Sequence, residues 1–143
     1  AGAVMELLNS TGVDLYGKEA VIVGHSEIVG KPLALLLLEK FSTVTVCHIA
    51  TSKAQKLEEH VRRAEVLIAA AGKPGLIKGE WVKKGAIVVD VGMNCQGNKI
   101  VGDVEFEEAE KRASYITPVQ GGVGPLTVAI LMRNLVEAAK LQQ

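Results

Sequence analysis

Residues 24–30, Gly-His-Ser-Glu-Ile-Val-Gly, combine the residue types that hold a phosphate with backbone rather than with side chains. The β-branched run Ala20-Val21-Ile22-Val23 leads into Gly24, and an apolar helical pattern begins around Gly30. A strand that ends on glycine gives a sharp turn. A helix that opens on glycine packs close to that strand and offers N–H groups at its start to an anion such as a pyrophosphate. The spacing is G-x-S-x-x-x-G, with Ser26 where the common dinucleotide fingerprint has its second glycine, so the segment predicts a variant dinucleotide site. A purely structural tight turn is the competing reading of the same residues.

A second constellation closes the chain's chemistry. Ile116-Thr-Pro-Val-Gln-Gly-Gly-Val-Gly-Pro-Leu-Thr127 fixes an irregular backbone with glycine and proline, then launches a helix near Pro125. Exposed N–H groups there, with Thr127, form a natural contact for an anion or a carboxamide. Between the two lie three more strand-end loops. Residues 47–51, Cys-His-Ile-Ala-Thr, carry no acid where an NAD site usually places one for the adenosine ribose. A carboxylate would repel a ribose 2′-phosphate, so its absence leaves NADP open, with NAD possible; His25 and His48 offer donors near that phosphate, and a plain polar loop residue is the competing reading of His48. Ala69-Ala70-Ala71-Gly72 supplies small side chains against which a ribose can lie. Asp90-Val91-Gly92-Met93-Asn94 ends an apolar strand, with Gly92 making room beside a nicotinamide and Asp90 in need of hydrogen-bond partners. Cys47 and Cys95 lack the neighbours of a nucleophile and the spacing of a metal site, so no metal is expected.

These loops need a scaffold that brings strand ends together. The apolar periodicity predicts a helix over 3–9, strands over 19–24, 43–47, 65–70, 86–91 and 115–116, and helices over 28–40, 53–63 (with Ser52 as N-cap), 104–112 and 126–141. A short helical turn is expected over 79–83 and a polar loop over 94–99. Strands alternating with helices argue for an α/β fold: a doubly wound, mainly parallel sheet with helices on both faces, whose ligands bind at the carboxyl ends of the strands. At 143 residues with 48% apolar content and few aromatics, the chain is read as one domain with an aliphatic core. Sixteen basic residues balance sixteen acidic ones, so no overall field recruits nucleic acid or an anionic membrane. No apolar run reaches the roughly 18 residues of a membrane span, and a reducing cytoplasmic setting is the expectation.

The motifs at 23–32, 43–48, 69–74, 84–92, 101–104 and 117–127 together resemble one family, the bifunctional methylenetetrahydrofolate dehydrogenase/cyclohydrolases, in order and over essentially the whole chain. The resemblance implies a Rossmann-like three-layer NAD(P)-binding domain over residues 1–143. Residues 1–17 would be a helical lead-in from a preceding catalytic domain, and 126–141 a closing helix. It implies a place in one-carbon metabolism and purine biosynthesis, with oxidation of 5,10-methylenetetrahydrofolate by NADP or NAD and hydrolysis of the product to 10-formyltetrahydrofolate. Carried over position by position, Gly24, His25 and Ser26 would hold phosphates and ribose, with Ile28 and His48 beside them and Ala71 and Gly72 flanking. Val91, Gly92 and Met93 would lie near the nicotinamide with Thr127 touching it, and Gly124 and Pro125 would approach the folate. The family mostly has Arg where His25 stands, Ser or a basic residue at the positions of Ile49 and Ala50, and Pro where Gln120 stands. Its catalytic Lys lies in the other domain, so no catalytic residue is expected in this chain; tetrahydrofolate derivatives would be met through that domain, and a homodimer is implied. The alternative from a different class is a stand-alone, non-catalytic nucleotide-binding or interaction module.

Overall fold

The computed structural model describes residues 1–142. The chain runs α1 (Gly2–Ser10), β1 (Glu19–Val23), α2 (Gly30–Glu39), β2 (Thr43–Cys47), α3 (Ile49–Lys53), α4 (Leu57–Arg63) and β3 (Val66–Ala69). A 3₁₀ turn (Gly79–Trp81) then leads to β4 (Ile87–Asp90), β5 (Asn94–Gln96), β6 (Lys99–Val101), α5 (Phe106–Glu110), β7 (Tyr115–Ile116) and α6 (Val123–Leu141). Five strands form one parallel sheet in the order β2-β1-β3-β4-β7. The doubly wound α/β expectation is met.

Alternation along the strands sends side chains to two separate cores, as a sheet covered on both faces requires. Ala20, Ile22, Val66, Ile68 and Val89 face α1, α2 and the start of α6, against Leu8, Leu33 and Leu37. Val21, Val23, Leu67, Ala69 and Val88 face the opposite layer, against Leu57 and Val61 of α4 and Ala109 of α5. Burial of each such Leu, Ile or Val contributes about 1.5–3 kcal/mol. At the sheet's lower edge, Lys18 reaches Glu65 at 2.9 Å and holds that carboxyl below its ordinary range.

Four expectations are corrected. The single helix over 53–63 is two: α3 begins at Ile49 and α4 at Leu57, separated by a turn in which Gln55 takes a positive φ of 56°. Ser52 lies inside α3, whose N-cap is His48. Imidazole Nδ1 accepts the Ala50 N–H, and the Thr51 hydroxyl accepts the His48 N–H, in a reciprocal capping box. The polar loop over 94–99 is an antiparallel hairpin, β5 pairing with β6 from Asn94↔Val101 to Gln96↔Lys99. The last helix opens at Val123, three residues before its expected start, with Pro125 tolerated in its first turn.

Two glycines fix how β1 hands over to α2. Gly24 takes φ +129°, and a Cβ there would overlap the Ala70 carbonyl of the neighbouring loop. At Gly30 a Cβ would overlap the Gly24 carbonyl and crowd His25 Cα. The close approach read from the sequence is therefore an approach of α2 to the turn itself. Gly30→Ala is expected to cost about 3 kcal/mol or more in urea unfolding, because rigid backbone on both sides must give way. A cost below about 0.5 kcal/mol, the ordinary range for a surface change, would contradict the packing described.

Candidate functional site

The carboxyl ends of β2, β1 and β3 open on a cleft of about 290 Å³, lined by Gly24, His25 and Ser26 after β1, His48, Ile49 and Ser52 after β2, and Ala70, Ala71, Lys73 and Leu76 after β3. Val23 and Leu57 form its floor. Five residues expected in the site thus meet in one place: Gly24, His25, Ser26, His48 and Ala71. His25 and His48 come from different loops, yet their rings lie 5.3 Å apart between centroids.

The donors at the first loop are arranged differently from the sequence expectation. The Ser26 hydroxyl oxygen accepts the N–H groups of Val29 (3.2 Å) and Gly30 (3.4 Å), and the Ser26 carbonyl accepts that of Lys31 (3.0 Å). The start of α2 is thereby capped by its own serine. Among the described residues, the N–H groups of residues 25–28 have no protein acceptor, so the open donors lie one turn before the helix. The Ser26 hydroxyl keeps its own proton to donate. Ile28, 82% exposed, is not among the residues lining the cleft, and only its N–H stands with the open donors of this loop.

The third loop is held by a residue outside the expected site. Asp103 is fully buried, and its carboxylate accepts the N–H groups of Ala71 (2.6 Å), Gly72 (2.9 Å) and Lys73 (2.8 Å) together with the Asn94 side-chain amide (2.9 Å). Asp90, 5% exposed at the end of β4, accepts the N–H groups of Gly92 (2.9 Å), Asp103 (3.1 Å) and Val104 (2.9 Å). Burial pushes the Asp90 carboxyl above its ordinary range, while the three amides favour the ionised form. The hydrogen-bond partners that the sequence demanded for Asp90 are therefore backbone amides. At Gly92 the space of the missing Cβ is filled by the Asp103 carboxylate, and at Gly102 by that of Asp90.

Val91 is half-buried against the α1–α2 core. Met93 is exposed, and its methyl group lies 3.6 Å from the position of a Cβ on Gly124. The loop after β4 and the glycine loop thus meet at the far end of the strand tips from His48. Thr117 joins them to the sheet, its hydroxyl oxygen accepting the Asp90 N–H at 2.9 Å. Thr127 is the fifth residue of α6 and donates its hydroxyl proton to the Val123 carbonyl at 2.9 Å. It can offer an incoming group only lone pairs, which suits a carboxamide N–H better than an anion. Pro125 is exposed in the first turn of α6, and Cys47 is buried, its thiol pushed up by burial.

Lys73, Ser52, Leu57, Leu76 and the supporting Asp103 carry no site signal in the sequence, while Ile49 stands out there only as a position where the chain departs from the family pattern. Lys73 and Asp103 lie inside recognisable segments, but their roles rest on contacts across 30 residues of sequence. Asp103→Asn should cost about 2 kcal/mol or more, since an amide N–H₂ would face N–H donors. It should also speed hydrogen exchange at Ala71, Gly72 and Lys73. Exchange at those amides unchanged from the parent would contradict the role assigned to Asp103.

Against known proteins, residues 1–143 match the family model described as tetrahydrofolate dehydrogenase/cyclohydrolase, NAD(P)-binding domain. The bifunctional protein FolD of Acetivibrio thermocellus is 56% identical over 140 residues, covering 97% of this chain and 48% of that protein. The FolD of Nitratiruptor is 55% identical over 137 residues, covering 96% and 48%. The crystal structure of the FolD dehydrogenase/cyclohydrolase from Campylobacter jejuni superposes with a TM-score of 0.92 at 51% identity, covering 99% of this chain and 49% of that one. The Trypanosoma brucei enzyme, solved with NADP cofactor and an inhibitor, matches with a TM-score of 0.88 at 47% identity over 94% and 48%. The chain spans about half the length of the relatives it matches. With its parallel sheet, its glycine-turned β1–α2 junction and this match over its full length, the chain belongs to the tetrahydrofolate dehydrogenase/cyclohydrolase family, as its NAD(P)-binding domain.

Proposed function

We propose that this domain, residues 1–143, holds NADP, and with lower preference NAD, for oxidation of 5,10-methylenetetrahydrofolate to the methenyl form, and that the same enzyme hydrolyses that product to 10-formyltetrahydrofolate. The observation that carries the reading is the cleft at the β2, β1 and β3 ends, which combines, among the described residues, unpartnered N–H groups, small-residue walls and donor side chains with no lining carboxylate. Those features fit a dinucleotide. The N–H groups of residues 25–28 and the Ser26 hydroxyl would take the pyrophosphate. His25 and His48 would donate toward the ribose phosphate, and Ala71 and Gly72 would lie against the adenosine ribose. Val91, Gly92, Met93 and Thr127 would border the nicotinamide, with Gly124 and Pro125 on the folate side.

When bound, the nucleotide supplies a nicotinamide carbon that accepts a hydride. The chain's part is to fix that ring and to shield one side of it. The groups that would orient the folate or move its protons belong, on this reading, to the other half of a longer enzyme. The exposed apolar face of α6 supports this: Val128, Leu131, Met132, Leu135 and Val136 all stand open to solvent on one helix, the kind of patch that a second domain covers. Two unbridged cysteines and balanced charge support a cytoplasmic protein without nucleic-acid or membrane partners, and the family resemblance supports a homodimer.

Two outcomes are expected. The purified domain binds NADPH, seen as a change in nicotinamide fluorescence, and gives no turnover of methylenetetrahydrofolate, because positioning of the folate against the ring is missing. Turnover by the domain alone would overturn the division of labour. His25→Arg should tighten NADP about tenfold relative to NAD, since a guanidinium pairs with phosphate through two parallel bonds. An unchanged ratio would remove His25 from the phosphate's surroundings.

A further inference from the structure

The cleft has to neutralise a phosphate dianion if it is to prefer a 2′-phosphorylated nucleotide, and its two histidines are poorly placed to supply that charge. His48 is committed to starting α3: its Nδ1 accepts the Ala50 N–H at 3.2 Å, and a proton on Nδ1 would displace that bond. In this role it presents Nε2–H, a donor without net charge. His25 lies with its ring 5.3 Å from that of His48, so a second charged imidazole would meet repulsion from the first. The pair is therefore placed to furnish directed hydrogen bonds.

Lys73 differs in both respects. Its backbone N–H is pinned by the buried Asp103 carboxylate at 2.8 Å, and its side chain lines the same cleft. No carboxylate pairs with its ammonium among the described residues, unlike Lys18, Lys31, Lys78, Lys111 and Lys140. It is thus a cationic side chain on an anchored backbone, at a cleft with no lining carboxylate among the described residues. Apolar Ile49, Leu57 and Leu76 border the same space and suit the flat faces of an adenine, which places the adenosine end of a nucleotide here.

We propose that Lys73 is the specificity-determining residue for the adenosine ribose: its ammonium pairs with a 2′-phosphate, and the domain prefers NADP to NAD chiefly through it. The proposal rests on the cleft being the dinucleotide site, as argued above. Calorimetric titrations with NADP, NAD, 2′,5′-ADP and 5′-AMP, on the parent domain and on Lys73→Gln and Lys73→Arg, test it. Lys73→Gln should weaken NADP and 2′,5′-ADP by about tenfold to a hundredfold, the range of a hydrogen bond to a charged group, and leave NAD and 5′-AMP within about twofold. Lys73→Arg should keep the preference. The side chain is exposed, so the melting temperature of both variants should match the parent. Equal weakening of NADP and NAD by Lys73→Gln would assign the ammonium to the pyrophosphate and overturn the proposal, as would no weakening of either. A parent domain that binds none of the four nucleotides would instead remove the dinucleotide reading, and with it the role of Lys73.

Discussion

Every loop that shapes the cleft's third wall hangs on two buried carboxylates. Asp103 gathers three successive backbone amides and the Asn94 side chain; Asp90 gathers three more amides, including that of Asp103 itself. A buried anion is costly unless its lone pairs are filled, and here seven donors fill them. Gly92 and Gly102 vacate the space that the two carboxylates occupy. The result ties the loop after β3, the end of β4, the β5–β6 hairpin and the entry to α5 into one unit. Further backbone bonds reinforce it, from Ile77 to the Asp103 carbonyl and from Glu105 to the Ile77 carbonyl, each 2.9 Å. Without that unit, Ala71, Gly72 and Lys73 would lack a fixed position beside the β1–α2 turn.

The parallel sheet was legible because each strand carries its own local signal, a β-branched apolar run stopped by glycine or a polar residue. Gly24 and Gly30 were legible for the same reason: close backbone approach leaves only one residue type that fits. What escaped was non-local. Nothing local distinguishes Asp103 from an exposed loop aspartate, because its partners are backbone amides supplied by a segment 30 residues earlier. The split between α3 and α4 escaped because Gln55 takes a left-handed conformation that non-glycine residues seldom adopt, and because a histidine capped the helix where a serine four residues later looked better suited. The hairpin over 94–101 has strands of three residues each and no buried residue on either, so periodicity carried no message there.

The two ends of the strand-tip surface differ in kind. At the His48 end the walls come from three loops of this domain and enclose a defined cleft. Toward Met93 and Gly124 the surface is open, bounded only by the glycine loop and the start of α6. A site finished at one end and open at the other is what a cofactor domain needs if a second domain brings the substrate. The apolar stripe on the distal half of α6 points the same way, since α6 buries only Val123 and Ile130 within this domain.

The central claim is that a dinucleotide lies across the tips of β2, β1 and β3, on the open amides of residues 25–28 and against a wall that Asp103 holds in place. The most direct measurement is an amide NMR titration of the domain with NADP. The account predicts the largest shifts at residues 24–28, 48–52 and 70–76, with smaller ones near Met93 and Gly124. Shifts centred instead on the opposite ends of the strands, around Lys18, Lys83 and Lys84 where a second hollow of about 320 Å³ lies, would contradict it.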